Sequence, residues 1–261
     1  MTKSTEYGIY GVGLAAVAGI WLLIQYQGFY GWLLLGLGVL LLGYVLLQSF
    51  KLDVEARHRI YAILFLLALQ PLFWALFEQA GSSLNFLAQD FGRMPEVTIF
   101  GWQPTFEVFQ SVNPVFIILL APMFASLWPA LDGKALNPSI PRKFAYGLAG
   151  AAIGFYVLVF AIQNFVDAGG KISWMWLTLT YLIHTMGELC LSPIGLAMVT
   201  KLAMPKETGL AMGGWFLSIA MANYVAGLLA AEASGHYRLT LAPTAPAELA
   251  GRAAGGSARR A

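Results

Sequence analysis

The sequence predicts an all-α polytopic membrane protein, and three observations carry that prediction. Of the 261 residues, 59% are hydrophobic and only 11% are charged, whereas an ordinary globular chain carries roughly 25% charged residues. A soluble fold would not find enough polar surface here to cover its core. The apolar residues are also gathered into long runs, not spaced with the period of a half-buried strand or an amphipathic helix. A run of about 18 or more is what a helix needs to cross about 30 Å of hydrocarbon. Finally, the basic residues alternate between successive loops, as short loops on the two sides of a membrane do. Helices satisfy all their backbone groups internally, so they can span lipid.

Taken in order, seven stretches meet or approach the length requirement. Tyr7–Gln25 and Phe29–Phe50 contain no charged residue and are separated only by Tyr26–Gln27–Gly28. They are expected to form an accessory, lipid-facing hairpin over residues 7–50. The loop Lys51–Arg59 carries Lys51, Arg57 and Arg59 and precedes Ile60–Phe77, which runs outward into Glu78. Only Arg93 marks the next loop, Asp90–Ser111, before Val112–Leu131 opens on an Asn113–Pro114 helix-start signal. Asp132–Lys143 is basic again, with Lys134, Arg142 and Lys143, and leads into Phe144–Val166. Asp167–Lys171 holds a single lysine, Ile172–Thr200 follows, and Lys201–Glu207 restores two lysines ahead of Thr208–Ala231. The basic loops are expected to face the cytoplasm. Residues 57–231 form the main five-span bundle.

After Ala231 the composition turns to Ala, Pro, Gly and Arg, as in LAPTAPAELAGRAAGGSARRA. Residues 236–261 are expected to be a disordered low-complexity tail, of the kind a truncated or frame-shifted reading frame produces. A net charge of +2 gives no reason to expect nucleic acid. Cys190 is the single cysteine, so no intrachain disulfide is possible. The first apolar run is too long for a signal peptide and no small-residue cleavage site follows it, so the first span is expected to stay in place.

A charge at the bilayer centre costs at least ~2.5–3.5 kcal/mol on insertion scales, which makes intramembrane ionisable residues functional candidates. The last five spans offer Glu78, His184 and Glu188. Glu78 shares a helix face with Trp74, four residues earlier, and is followed by Gln79, Ser82, Ser83 and Asn85. That polarity suggests a water-filled cavity, although a glutamate reaching interfacial water has the same pattern. His184, Glu188 and Ser192 recur at four-residue steps, placing imidazole, carboxylate and hydroxyl on one face beside Gly187 and Pro193. For His184 a bond to a backbone carbonyl is the simpler expectation. Glu188 must be matched by a proton, a cation or a ligand's ammonium. Asn113 is either a helix-start residue or a polar group on the pathway, and Trp215 follows Gly213–Gly214, a pair that permits close approach.

The stretches FWALFEQAGSSLN, FQSVNPVFIILLAP, LIHTMGELCLSPIGLAMVTKLAMP and GGWFLS with NYVAG resemble the second half of bacterial proton-dependent oligopeptide transporters. These are the POT/PTR branch of the major facilitator superfamily. The resemblance covers about Tyr7 to Gly235, with Met204 a minor departure. It implies a partial major facilitator fold: an inserted helical hairpin plus helices seven to eleven of the family's twelve. It further implies that Asn113 and Glu188 hold a peptide's amino terminus, with Trp74, Ser192 and Trp215 lining side-chain pockets. Glu78 would take part in proton coupling and pair with the other bundle. Di- and tripeptides are then the expected substrates, protons the coupling ion with no other cofactor and no metal, and a bacterial inner membrane the expected location. The first six-helix bundle and the last helix are not in this sequence, so the chain is expected not to transport alone, since rocking needs both bundles.

Two other classes compete. A membrane enzyme would have to use Glu78, His184 and Glu188 as metal ligands or an acid–base set, but carboxylate di-metal sites need several more ligands and no nucleophile adjoins His184. A non-transporting scaffold is the other reading.

Overall fold

The structure, a computed structural model of the chain, describes residues 3–89, 101, 106–204 and 206–241. Eight α-helices are present among them: α1 (Lys3–Gln25), α2 (Gln27–Ser49), α3 (Val54–Phe77), α4 (Ser83–Gln89), α5 (Val112–Asp132), α6 (Ile140–Asn164), α7 (Trp174–Leu202) and α8 (Thr208–Leu241). Seven of the helical segments are long and apolar enough to cross a membrane, and they match the seven predicted runs. The chain is an all-helical, multi-pass membrane protein.

Three local features refine the reading. Between α1 and α2 only Tyr26 leaves the helical conformation, so the hairpin turn is tighter than a three-residue loop. The run before Glu78 does not end there: a 3-10 turn over Glu78–Gly81 passes through Ser82 into α4, and the apolar span continues to Ala88. Gly81 and the non-helical Ser82 (φ −127°, ψ −89°) break the register without ending the span. At the other end, α8 continues to Leu241, six residues into the segment expected to be disordered. No proline occurs there before Pro243, and proline is what would have stopped the helix. The rest of the expected tail, residues 242–261, lies outside the described residues, as does Arg93 with most of its loop.

Prolines sit inside α3 (Pro71), α5 (Pro122, Pro129) and α7 (Pro193). Membrane helices tolerate them because neighbouring groups re-satisfy freed backbone. Neither Gly187 nor Pro193 interrupts α7.

The residues divide into two compact units. The first comprises Met1–Leu72 and Ser192–Tyr224. Here α2 packs on α8: Tyr30 meets Tyr224 edge-to-face at 6.0 Å, and a Cβ at Gly214 would lie 3.3 Å from both Leu41 and Leu67. The span of α1 buries none of its residues among the described residues. Arg57 closes the end of α2 by donating to Ser49 O and Leu52 O.

The second unit comprises Phe73–Leu191 and Val225–Ala261. Its core gathers Leu84, Leu158, Ala161, Ile172, Leu177 and Tyr181. The α6–α7 crossing is set by glycines at Gly147, Gly150 and Gly154 against Gly187 and His184. A Cβ at Gly147 would lie 3.0 Å from Gly187 O, and one at Gly150 3.1 Å from Gly187 Cα. Without side chains the two backbones approach closely, the usual way membrane helices associate when lipid removes the hydrophobic drive.

Candidate functional site: a carboxylate and amide between α5 and α7

Four of the candidate residues, Trp74, Glu78, Asn113 and Glu188, belong to the second unit, whereas Ser192 and Trp215 belong to the first. Within the second unit the structure brings Asn113 and Glu188 together. Asn113 Nδ2 donates to Glu188 Oε2 at 3.0 Å and to Thr185 Oγ1 at 3.0 Å. Thr185 in turn donates to Tyr181 O at 2.8 Å. These bonds fix the amide's orientation. An ionised carboxylate accepts only, and the Thr185 hydroxyl has already committed its hydrogen, so Asn113 must offer its NH2 to both. Asn113 Oδ1 and Glu188 Oε1 are left as acceptors with no hydrogen-bond partner among the described residues. Asn113 does stand at the start of α5, as its second residue, and its amide reaches across to α7.

Glu78 behaves differently from its neighbour. Gln79 is buried, with Nε2 donating to Ala75 O at 3.0 Å and Ala226 O at 3.1 Å and Oε1 accepting from Ser83 Oγ at 2.6 Å. Tyr181 OH donates to Ala80 O at 3.2 Å. The 3-10 turn is thus pinned on both sides by residues other than Glu78. The Glu78 carboxylate has no hydrogen-bond or ion-pair partner among the described residues, and it lies within electrostatic reach of Glu188. Trp74 packs edge-on to Phe73 at 5.8 Å and Phe77 at 5.3 Å. Its indole N–H is buried without a partner among the described residues.

His184 takes the bland role. It is 1% exposed, its Nε2 is 3.0 Å from Ala151 O, and its ring stands 5.0 Å from that of Phe155. The four-residue step from His184 to Glu188 therefore does not make an acid–base pair. In the first unit, Trp215 is 2% exposed, and its carbonyl accepts from Ser218 Oγ at 2.7 Å and Gln70 Nε2 at 3.4 Å.

Comparison with known proteins decides the family. The model of the POT family (PTR2) matches residues 38–238. This chain belongs to the POT family. A POT relative, the peptide transporter YePEPT of Yersinia enterocolitica, is 40% identical over 74% of this chain and 37% of its own. Dipeptide and tripeptide permease A of Citrobacter koseri is 35% identical over 85% of this chain and 45% of its own. Among solved structures, a peptide transporter POT in complex with alafosfalin matches with a TM-score of 0.67 and 34% identity, covering 87% of this chain and 46% of that one. The chain thus spans less than half the length of these relatives. It is a POT-family membrane protein.

Sequence reasoning missed two residues that set the site and one buried cation outside it. Thr185 and Tyr181 order the Asn113–Glu188 pair and the 3-10 turn; both are polar residues on the α7 face that carries Glu188, and that shared face was the available signal. Lys143, read as a loop base, is 7% exposed with its Nζ 4.2 Å from the centre of the Trp128 ring, a cation–π seat that composition does not reveal. Replacing Thr185 with valine keeps the shape but leaves an amide N–H of Asn113 facing a methyl. Such an orphaned donor costs about 1–3 kcal/mol, so Thr185→Val is expected to lower the thermal midpoint and Thr185→Ser to restore most of it. Equal midpoints for all three proteins would refute the clamp.

Proposed function

We propose that this chain supplies one half of a proton-coupled di- and tripeptide symporter, holding the peptide's amino terminus at Asn113 and Glu188. The observation that carries the reading is the Asn113 Nδ2–Glu188 Oε2 bond of 3.0 Å, which leaves one oxygen of each group as an acceptor beside a negative charge. A donor-rich cation, an ammonium, is the chemistry such a set fits. A charge pair in low dielectric is favourable only when the remaining hydrogen bonds are also met, and Thr185 meets one of them. Trp74, in the same unit, is assigned to contact with the peptide's side chains. The names of the relatives, peptide transporter and dipeptide and tripeptide permease, support this substrate class.

Glu78 is assigned to proton coupling, with protons as the only coupling ion. A carboxylate that alternates between a desolvated setting and one beside an opposite charge exchanges its proton, and this ties protonation to a conformational step. The opposite charge belongs on a second, six-helix bundle, and rocking one bundle against the other is how such transporters alternate access. The chain alone is therefore inactive.

The test is uptake of a labelled dipeptide under an inward proton gradient, in vesicles holding this chain alone or together with the amino-terminal six-helix bundle and the last helix of a POT relative. Uptake is expected only in the second case, and collapse of the gradient abolishes it. Gradient-driven uptake by the chain alone would sink the half-transporter reading; gradient-independent uptake by the pair would sink the coupling.

A further inference from the structure

Within the first unit, α2, α3 and α8 enclose a cleft of about 340 Å³. Its walls are almost wholly aliphatic, and it runs from Ala56 and Met204 at one end to Leu35, Pro71 and Met221 at the other. Along α3, Ala56 to Pro71 is about 22 Å at a rise of about 1.5 Å per residue. One leaflet of hydrocarbon is about 15 Å deep, half of the ~30 Å core. The cleft is therefore long enough to accept a whole acyl chain laid along the helices. Its one ionisable lining residue, Glu207, stands at the end where the basic loops Lys51–Arg59 and Lys201–Glu207 gather. Glu207 is half-buried, and its carboxylate has no ion-pair or hydrogen-bond partner among the described residues. Arg57, beside Ala56, is committed to the carbonyls of Ser49 and Leu52, and Arg59 to Glu55.

We propose that this cleft seats one phospholipid of the leaflet on the basic-loop side, with an acyl chain along α3 and a primary-ammonium headgroup on Glu207. The charge at the mouth selects the headgroup. A carboxylate accepts and does not donate; an ethanolamine ammonium brings three N–H donors, choline brings none, and glycerol brings no positive charge. Lys201 in the last turn of α7 and Lys206 in the loop after it, both exposed, are placed for the lipid's phosphate. The occupant is an aminophospholipid.

Native mass spectrometry of the purified chain in mixed micelles offered equal phosphatidylethanolamine, phosphatidylglycerol and phosphatidylcholine tests this. The expected result is one retained lipid, with phosphatidylethanolamine favoured roughly 2- to 5-fold, the range of a partly exposed ion pair. Glu207→Gln should keep the lipid and lose the preference. Ala68→Phe, placed at an exposed residue of the cleft wall, should lose the lipid while the thermal midpoint stays. Equal retention of all three lipids in the unsubstituted protein, or retention undiminished in Ala68→Phe, means a non-specific annulus and overturns the proposal. A lipid-free dimer overturns it too, and assigns the cleft to a second copy.

Discussion

Glu188→Gln, in the chain completed by an amino-terminal bundle, is expected to cut dipeptide affinity by roughly two to three orders of magnitude while leaving the fold intact. The glutamine keeps an oxygen to accept from Asn113 Nδ2, so the α5–α7 link of 3.0 Å survives and little thermal stability is lost. What disappears is the negative charge. Removing one partner of a buried ion pair costs about 3–5 kcal/mol, and each ~1.4 kcal/mol is tenfold in affinity. Isothermal titration with a dipeptide, beside a thermal melt of the same preparation, separates the two effects. Unchanged affinity with an unchanged melt would remove Glu188 from the ligand site. A collapsed melt would instead make its role structural, as a buried acceptor for Asn113.

This contrast also shows why Glu188 stands out in the sequence and Thr185 does not. A carboxylate in the middle of an apolar run is conspicuous because burial is so unfavourable for it. A threonine in a membrane helix is not, since its hydroxyl can always return to the carbonyl four residues back, as Thr185 does to Tyr181 O. Only the crossing of α5 over α7 shows that its oxygen also accepts from Asn113. The pair Glu78–Gln79 carries the same lesson. Both are polar and adjacent, and the sequence draws attention to the charged one. The structure anchors the turn through Gln79, whose amide is filled by Ala75, Ala226 and Ser83, and leaves Glu78 available. For Lys143 the miss came from its aliphatic stem, which lets a lysine at a helix end bury most of its length against Trp128. The spans themselves were legible because apolar run length needs no tertiary context. The path of the chain through Glu78–Gly81 was not, because a 3-10 turn within a span has the same composition as a span that ends.

The second large effect is expected at Gly154, where a leucine should abolish most of the folded protein. Gly154 lies flush against the His184 ring: a Cβ there would fall on the imidazole edge, with Thr180 O 3.3 Å away on the other side. His184 is 1% exposed and held between Ala151 O at 3.0 Å and the Phe155 ring, so it has nowhere to retreat. Forcing extra methylenes into such a contact costs about 1–3 kcal/mol. Pushing the ring off Ala151 O orphans a buried imidazole N–H, at about 1–3 kcal/mol more. Together that is a large share of the roughly 5–15 kcal/mol by which domains are stable. The measurement is the monodisperse fraction and thermal midpoint after detergent extraction. Gly213→Leu serves as the control, because nothing lies within 4 Å of a Cβ there, and it should extract like the parent. Removing the ring should partly rescue the fold: Gly154→Leu with His184→Ala is expected to be more stable than Gly154→Leu alone, by a coupling of about 0.5–3 kcal/mol. If the double variant is no better than the single one, the clash lies with the α7 backbone at Thr180 and not with the histidine, and His184 is then only a passenger at the α6–α7 crossing.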